Sequence, residues 1–203
     1  MTALRTLSSL LLIVVLAGCT STIVPPDKPA EPVSVFVLDH GRHSSLVLPL
    51  GSGPEETAAA VRYSYGDWDY YVLRDTGFWQ GLRALVPPTP AALGRQYLRG
   101  PYNVDALVEQ IPVEVVDSFE IEVNADDVRA LREELHAKFE AGAEQERHRW
   151  PSTNIEFVRH PQDYTLMRNS NQMIADWLEM LGCTVRGKPI LSNWRIEPPA
   201  PES

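Results

Sequence analysis

"VSVFVLDHGRHSSLVLPL", Val33 to Leu50, sets two apolar, β-branched runs on either side of a glycine. "VSVFVL" (Val33–Leu38) reads as a buried strand and "SSLVLPL" (Ser44–Leu50) as a second. "HGRH" (His40–His43) supplies the turn that lets them pair. A sheet therefore starts early in the chain, and the class depends on what packs against it.

Downstream, "VRYSYGDWDYYV" (Val61–Val72) alternates as a strand, turns at Gly66–Asp67 and continues extended. Short helical pieces are expected around Phe78–Leu85 and Ala91–Leu98, on either side of the prolines of "VPPTP". Val104 to Val123 reads as two strands broken at Pro112, and "NIEFV" as a further short strand. "NADDVRALREELHAKFEAG" is a helix: Asn124 can cap it, Asp126 and Asp127 suit its positive end, and Val128, Leu131, Leu135 and Phe139 share one face. A last helix is expected from about Asn171 to Leu181, with Ile174, Trp177, Leu178 and Leu181 as its buried stripe. Strands first, helices interspersed and a late helix packing back give an α+β class with an antiparallel sheet and flanking helices.

The last helix carries a hydroxyl at one end and a thiol at the other. Cys183 follows Gly182 at the carboxyl end, where the dipole disfavours a thiolate, so it reads as a packing residue beyond a glycine cap. Ser170 lies at the amino end, where free N–H groups favour developing negative charge. It is either a cap, a job that Asn169 or Asn171 could share, or a nucleophile beside backbone oxyanion donors. His43, opening the second strand, is the candidate base. His40 and His43 could instead ligate a metal, but no third ligand of convincing spacing accompanies them. No metal and no cofactor are expected. The aromatic residues Trp68, Tyr70, Tyr71, Phe78 and Trp79 read as core and half-buried strand, with a groove for acyl chains or sugar rings as the alternative.

"HGRHSSLVLP" and "NSNQMIADWLEMLGC" together resemble an uncharacterised bacterial envelope family that is similar to circularly permuted papain-like hydrolases, the NlpC-type and lecithin–retinol acyltransferase-like superfamily. The resemblance spans roughly Val33 to Trp194. It implies a papain-like fold, with His43 as base and Ser170 where most relatives carry cysteine. It places the orienting group in "YSYGDWDYY", with Asp67 ahead of Tyr65, while Asp67 beside glycine is equally an ordinary turn residue. Asn169 and Asn171 would donate to an oxyanion or to a ligand. Serine for cysteine matters because a hydroxyl is not ionised by a neighbouring imidazolium as a thiol is; it needs general-base help and a well-built oxyanion hole.

The amino terminus reads as a secretory signal over residues 1–18, with a basic start and an apolar run from Leu7 to Ala17 too short to span a bilayer. "LAGC" (Leu16–Cys19) resembles a bacterial lipobox, implying lipidation of Cys19. Thr20 at the next position implies sorting to the periplasmic face of the outer membrane. Cleavage removes Arg5 and leaves 17 basic against 27 acidic side chains. That surface gives no electrostatic route to nucleic acid or anionic headgroups. "TSTIVPPDKPAEP" (Thr20–Pro32) reads as a linker spanning on the order of 40 Å, residues 33–196 as one domain, and 197–203 as a disordered tail.

Two functions follow from these residues. One is a degenerate papain-like cleft that binds an envelope ligand or partner, such as peptidoglycan or lipid, without turnover. The other is a Ser–His hydrolase or acyltransferase acting on peptide amides or lipid acyl groups. The absent cysteine favours the first.

Overall fold

The computed structural model describes residues 20–51, 58–72, 88–150 and 153–199. Cys19, the piece expected at Phe78–Leu85 and the last four residues lie outside them. The strands are β1 (Ser21–Val24), β2 (Pro32–Asp39), β3 (Ser44–Pro49), β4 (Ala60–Asp67), β5 (Ala91–Leu98), β6 (Asp117–Asn124), β7 (Arg147–Trp150), β8 (Ile155–Arg159), β9 (Thr184–Arg186) and β10 (Trp194–Ile196). The helices are α1 (Trp68–Tyr71), α2 (Val104–Val108), α3 (Ala125–Ala143) and α4 (Ser170–Met180).

Seven strands form one antiparallel sheet in the order β6-β2-β3-β4-β5-β8-β7. The chain is thus α+β, mostly antiparallel, with few helices. The expected pairing of Val33–Leu38 with Ser44–Leu50 is the β2–β3 hairpin, in register Val37↔Leu46. Period-two alternation divides the sheet residues between two faces. Val35, Val37, Leu46, Leu48, Tyr63, Tyr65 and Leu93 meet Leu131, Leu135 and Phe139 of α3 and Ile174, Trp177 and Leu178 of α4. Burial of such side chains contributes roughly 1.5–3 kcal/mol each. The opposite face carries Phe36, Leu38, Val47 and Leu98 under Leu107 and Ile111, and farther along Trp68, Ile155 and Phe157.

Four expectations are corrected. Ala91–Leu98 is a strand, not a helix. Its Gly94 lets β5 lie against both neighbours, since a methyl there would meet Ser64 Oγ at 2.3 Å and Phe157 at 2.9 Å. The stretch before Pro112 holds the short helix α2, whose cap Asn103 accepts from the Ala106 N–H at 2.9 Å. Gly66–Asp67 is not a turn: Gly66 stays in β4 because the Tyr71 ring lies on its Cα, and Asp67 caps α1.

The fourth concerns the supposed linker. Ser21–Val24 is a strand, with Ile23 wholly buried, held between β9 (antiparallel) and β10 (parallel) in a second, three-stranded sheet. The prolines after Val24 mask a short apolar strand. At the other end, Glu197 donates its N–H to the Ile23 carbonyl at 3.0 Å and pairs with Arg186 at 3.5 Å, so order continues past residue 196.

Candidate functional site

Helix α4 begins at Ser170, and Asn169 is its cap, accepting from the Gln172 N–H at 2.9 Å. The Asn169 amide also donates to the carbonyls of Leu166 (3.0 Å) and Ile190 (3.2 Å). Asn171 is a buried hub. It accepts from the Ser44 hydroxyl at 3.0 Å and donates to the carbonyls of Arg42 (3.1 Å) and Ile190 (3.4 Å). The Trp194 indole N–H in turn donates to Ser44 Oγ at 2.8 Å. Both asparagine side chains are therefore occupied in joining α4 to β3 and to the loop before β10, and neither amide is offered to a substrate.

Ser170 is buried, at 3 % exposure. Its backbone N–H, an expected oxyanion donor, is bonded to the Tyr164 phenol; burial and the nearby Asp67 carboxylate push that phenol up to about 12, against this bond. At the far end of α4 the reading of Cys183 holds. Gly182, at φ +82°, and Cys183 donate back to the carbonyls of Glu179 and Leu178 at 3.0 Å each, and burial pushes the thiol up to about 12.

The imidazole expected opposite Ser170 is turned elsewhere. Ser44, Leu46 and Leu48 of β3 face the helices, so the residue meeting the start of α4 is Ser44. His43 lies on the other face: it stacks on His40 at 5.0 Å, meets the Tyr71 ring edge-on at 5.3 Å and lines a cavity there with Arg62 and Ser64. No hydrogen bond joins His43 to Ser170 among the described residues. Asp67 does not orient His43 either; its two oxygens accept from the Tyr70 N–H and the Thr89 hydroxyl. Tyr65 points to the helical face, stacked on Tyr164 at 6.0 Å, and its hydroxyl donates to the carbonyls of Gln162 and Asp163. The Ser170–His43–Asp67 constellation is not assembled.

What the structure assembles instead is a cavity of about 470 Å³ on the face away from α4. Its polar end is His43, Arg62 and Ser64; Tyr70, Tyr71, Trp150 and Phe157 supply aromatic walls. Arg62 is 5 % exposed. Its Nε donates to Ser45 Oγ at 3.1 Å and its Nη1 to Gln96 Oε1 at 2.8 Å. Gln96 is held by the carbonyls of Gln110 and Thr153. Among the described residues no carboxylate pairs with Arg62 and Nη2 makes no hydrogen bond. Burial lowers its pKa to about 10, which leaves the guanidinium charged at pH 7.

The two histidines add no charge. Burial first, then the Arg62 charge, lowers His40 to about 3 and His43 to about 4. The His40 tautomer follows from its partners: Nδ1–H donates to the Glu114 carbonyl at 2.8 Å, and Nε2 accepts from Ser45 at 2.9 Å. A directed chain therefore runs from Arg62 through Ser45 to His40. A smaller hollow of about 140 Å³ on the helical side brings Arg132 and Glu133 together and so offers no uncompensated charge.

Sequence reasoning missed Arg62. The signal was the alternation of "VRYSYG": Val61, Tyr63 and Tyr65 on one face force an arginine onto the other, within a strand covered on both sides. Among the described residues no group of acidic, histidine or cysteine side chains is placed to hold a metal, and no helix is long and apolar enough to cross a membrane. Compared with protein-family models, with curated proteins and with solved structures, the chain matches none.

Proposed function

We propose that this chain is an envelope lipoprotein, anchored through Cys19 to the periplasmic face of the outer membrane, that binds a small organic anion without turning it over. We also propose papain-like descent, with the former helix–strand catalytic junction rebuilt as scaffold. The observation that carries the function is the Arg62 guanidinium, buried without a counter-ion on the wall of an aromatic cavity. An uncompensated buried charge costs several kcal/mol, and a ligand that supplies the missing anion recovers that cost. The volume falls in the range usual for small-ligand sites, ~300–1,000 Å³.

With both histidines neutral at pH 7, the cavity carries a single positive charge. A carboxylate balances it; a phosphate dianion would leave one negative charge buried and unpaired. The ligand is thus a monocarboxylate with an apolar body. A peptide carboxyl terminus and a fatty-acyl carboxylate both have this chemistry.

The test is calorimetric titration of the purified protein with N-acetyl-alanylalanine and with octanoate, each beside its neutral amide. Binding of one acid at least tenfold tighter than its amide is expected, lost in Arg62→Met and unchanged in Ser170→Ala; a charge-assisted hydrogen bond of about 1.5–3 kcal/mol sets that ratio. Which acid binds distinguishes peptide from acyl ligand. Equal binding of acid and amide, or full affinity in Arg62→Met, would overturn the reading. So would labelling of Ser170 by a fluorophosphonate, which marks a working serine nucleophile.

A further inference from the structure

The first strand begins almost where the expected lipid attaches. One residue, Thr20, separates Cys19 from β1, and two chain steps reach at most about 7 Å. β1 is not free to lift away: Ser21 donates to the Asn193 carbonyl at 2.8 Å, the Asn193 amide donates to Thr20 Oγ1 at 3.1 Å, and Gly187 lies against the Thr20 carbonyl.

Beside this point lies an exposed apolar cluster. Thr165 and Arg168 exchange both backbone hydrogen bonds, which makes Leu166 and Met167 the tip of a tight turn, at 38 % and 57 % exposure. Turn tips ordinarily carry glycine, proline, asparagine, aspartate or serine. Leu191, 45 % exposed, sits in the loop before β10. Asn169 ties the two loops together through the carbonyls of Leu166 and Ile190, and Asn193 ties the second loop to Thr20. Exposed Arg168 and Lys188 flank the cluster, on a chain whose net charge is −9.

We infer that these loops are a membrane-seating face: Leu166, Met167 and Leu191 dip into the interface of an anionic bilayer, with Arg168 and Lys188 at the headgroups. The inference rests on the anchoring of Cys19 proposed above. An anchor one residue from a packed strand holds this face, and no other, against the lipid. Each cation near an anionic surface adds about 1 kcal/mol, and the apolar tips add partial burial. The local basic pair overrides the repulsion expected from the overall charge.

The experiment uses the full chain, purified from bacterial membranes and reconstituted in phosphatidylglycerol–phosphatidylethanolamine vesicles. An environment-sensitive NBD fluorophore is placed on Met167→Cys and, separately, on Arg99→Cys at the opposite end of the sheet, with Cys183 buried and unlabelled. At position 167 the emission shifts to the blue, and nitroxide lipids labelled near the headgroup remove more than about half of it, as for side chains ~5–10 Å into the interface. Position 99 stays in water. Equal water exposure at both positions, in protein whose mass shows diacylglycerol on Cys19, overturns the seating face and leaves the anchor standing. An unmodified Cys19 overturns both. A blue shift without nitroxide quenching means that a second copy covers the tip, and also overturns the inference.

Discussion

Arg62 and Arg95 lie on neighbouring strands and are treated in opposite ways. Arg95 points to the helical face, where Glu140 at 2.8 Å and Glu156 at 3.5 Å compensate it and its guanidinium stacks over Phe139 at 3.7 Å. Arg62, equally buried, has only neutral partners among the described residues. Its charge also shapes the acid response of the fold. His40 and His43 titrate near 3 and 4 in the native chain and near 6.5 when unfolded. Between these values the unfolded chain binds protons that the native one refuses. Their contribution to stability is therefore complete above pH 6.5 and falls as pH drops toward 4. The loss is on the order of a few kcal/mol. Thermal melts from pH 7.5 to 4 check this, and a His40→Gln/His43→Gln variant has the flatter profile. Parallel profiles would mean that the imidazoles do not titrate in this way.

At the scale of elements, α4 is fastened to β3 by a polar joint and not only by its apolar stripe. Replacing Asn171 by alanine leaves the Ser44 hydroxyl and two carbonyls short of a partner. A loss of about 2–4 kcal/mol is expected in urea unfolding; a shift below 0.5 kcal/mol would show that water replaces the joint. Much at this scale was legible in the sequence. The hairpin, α3 with its buried face, β8 and α4 all follow from periodicity over runs long or regular enough to state it. Ala91–Leu98 was not, because alanine, leucine and glutamine favour helix and only burial on both sides makes the segment a strand. β1, β9 and β10 were hidden by their length of three or four residues. The site failed for a different reason. A histidine opening a strand was read as facing the helix, although counting back by twos from Leu48 and Leu46 reaches Ser44. One residue of register moves a side chain to the other face, and here it separates the imidazole from the hydroxyl.

For the whole molecule, the amino-terminal strand is a structural member and not a tether. A chain beginning at Glu31 is expected to unfold at a lower urea concentration than one beginning at Thr20, by several kcal/mol, since Ile23 and Val24 each contribute roughly 1.5–3 kcal/mol when buried. Equal midpoints would mean that the small sheet carries no stability. The same sheet imposes an order of events. β1 is enclosed by β9 and β10, its Ser21 opposite Trp194, so the first strand has no neighbours until almost the last residue has been made. Such end-to-end closure is slow, because a long loop must be closed before any contact rewards it. A polypeptide that must be threaded through a translocation channel gains from that delay. The nascent chain stays open during synthesis, and its final locking step comes only once both ends have reached the far side.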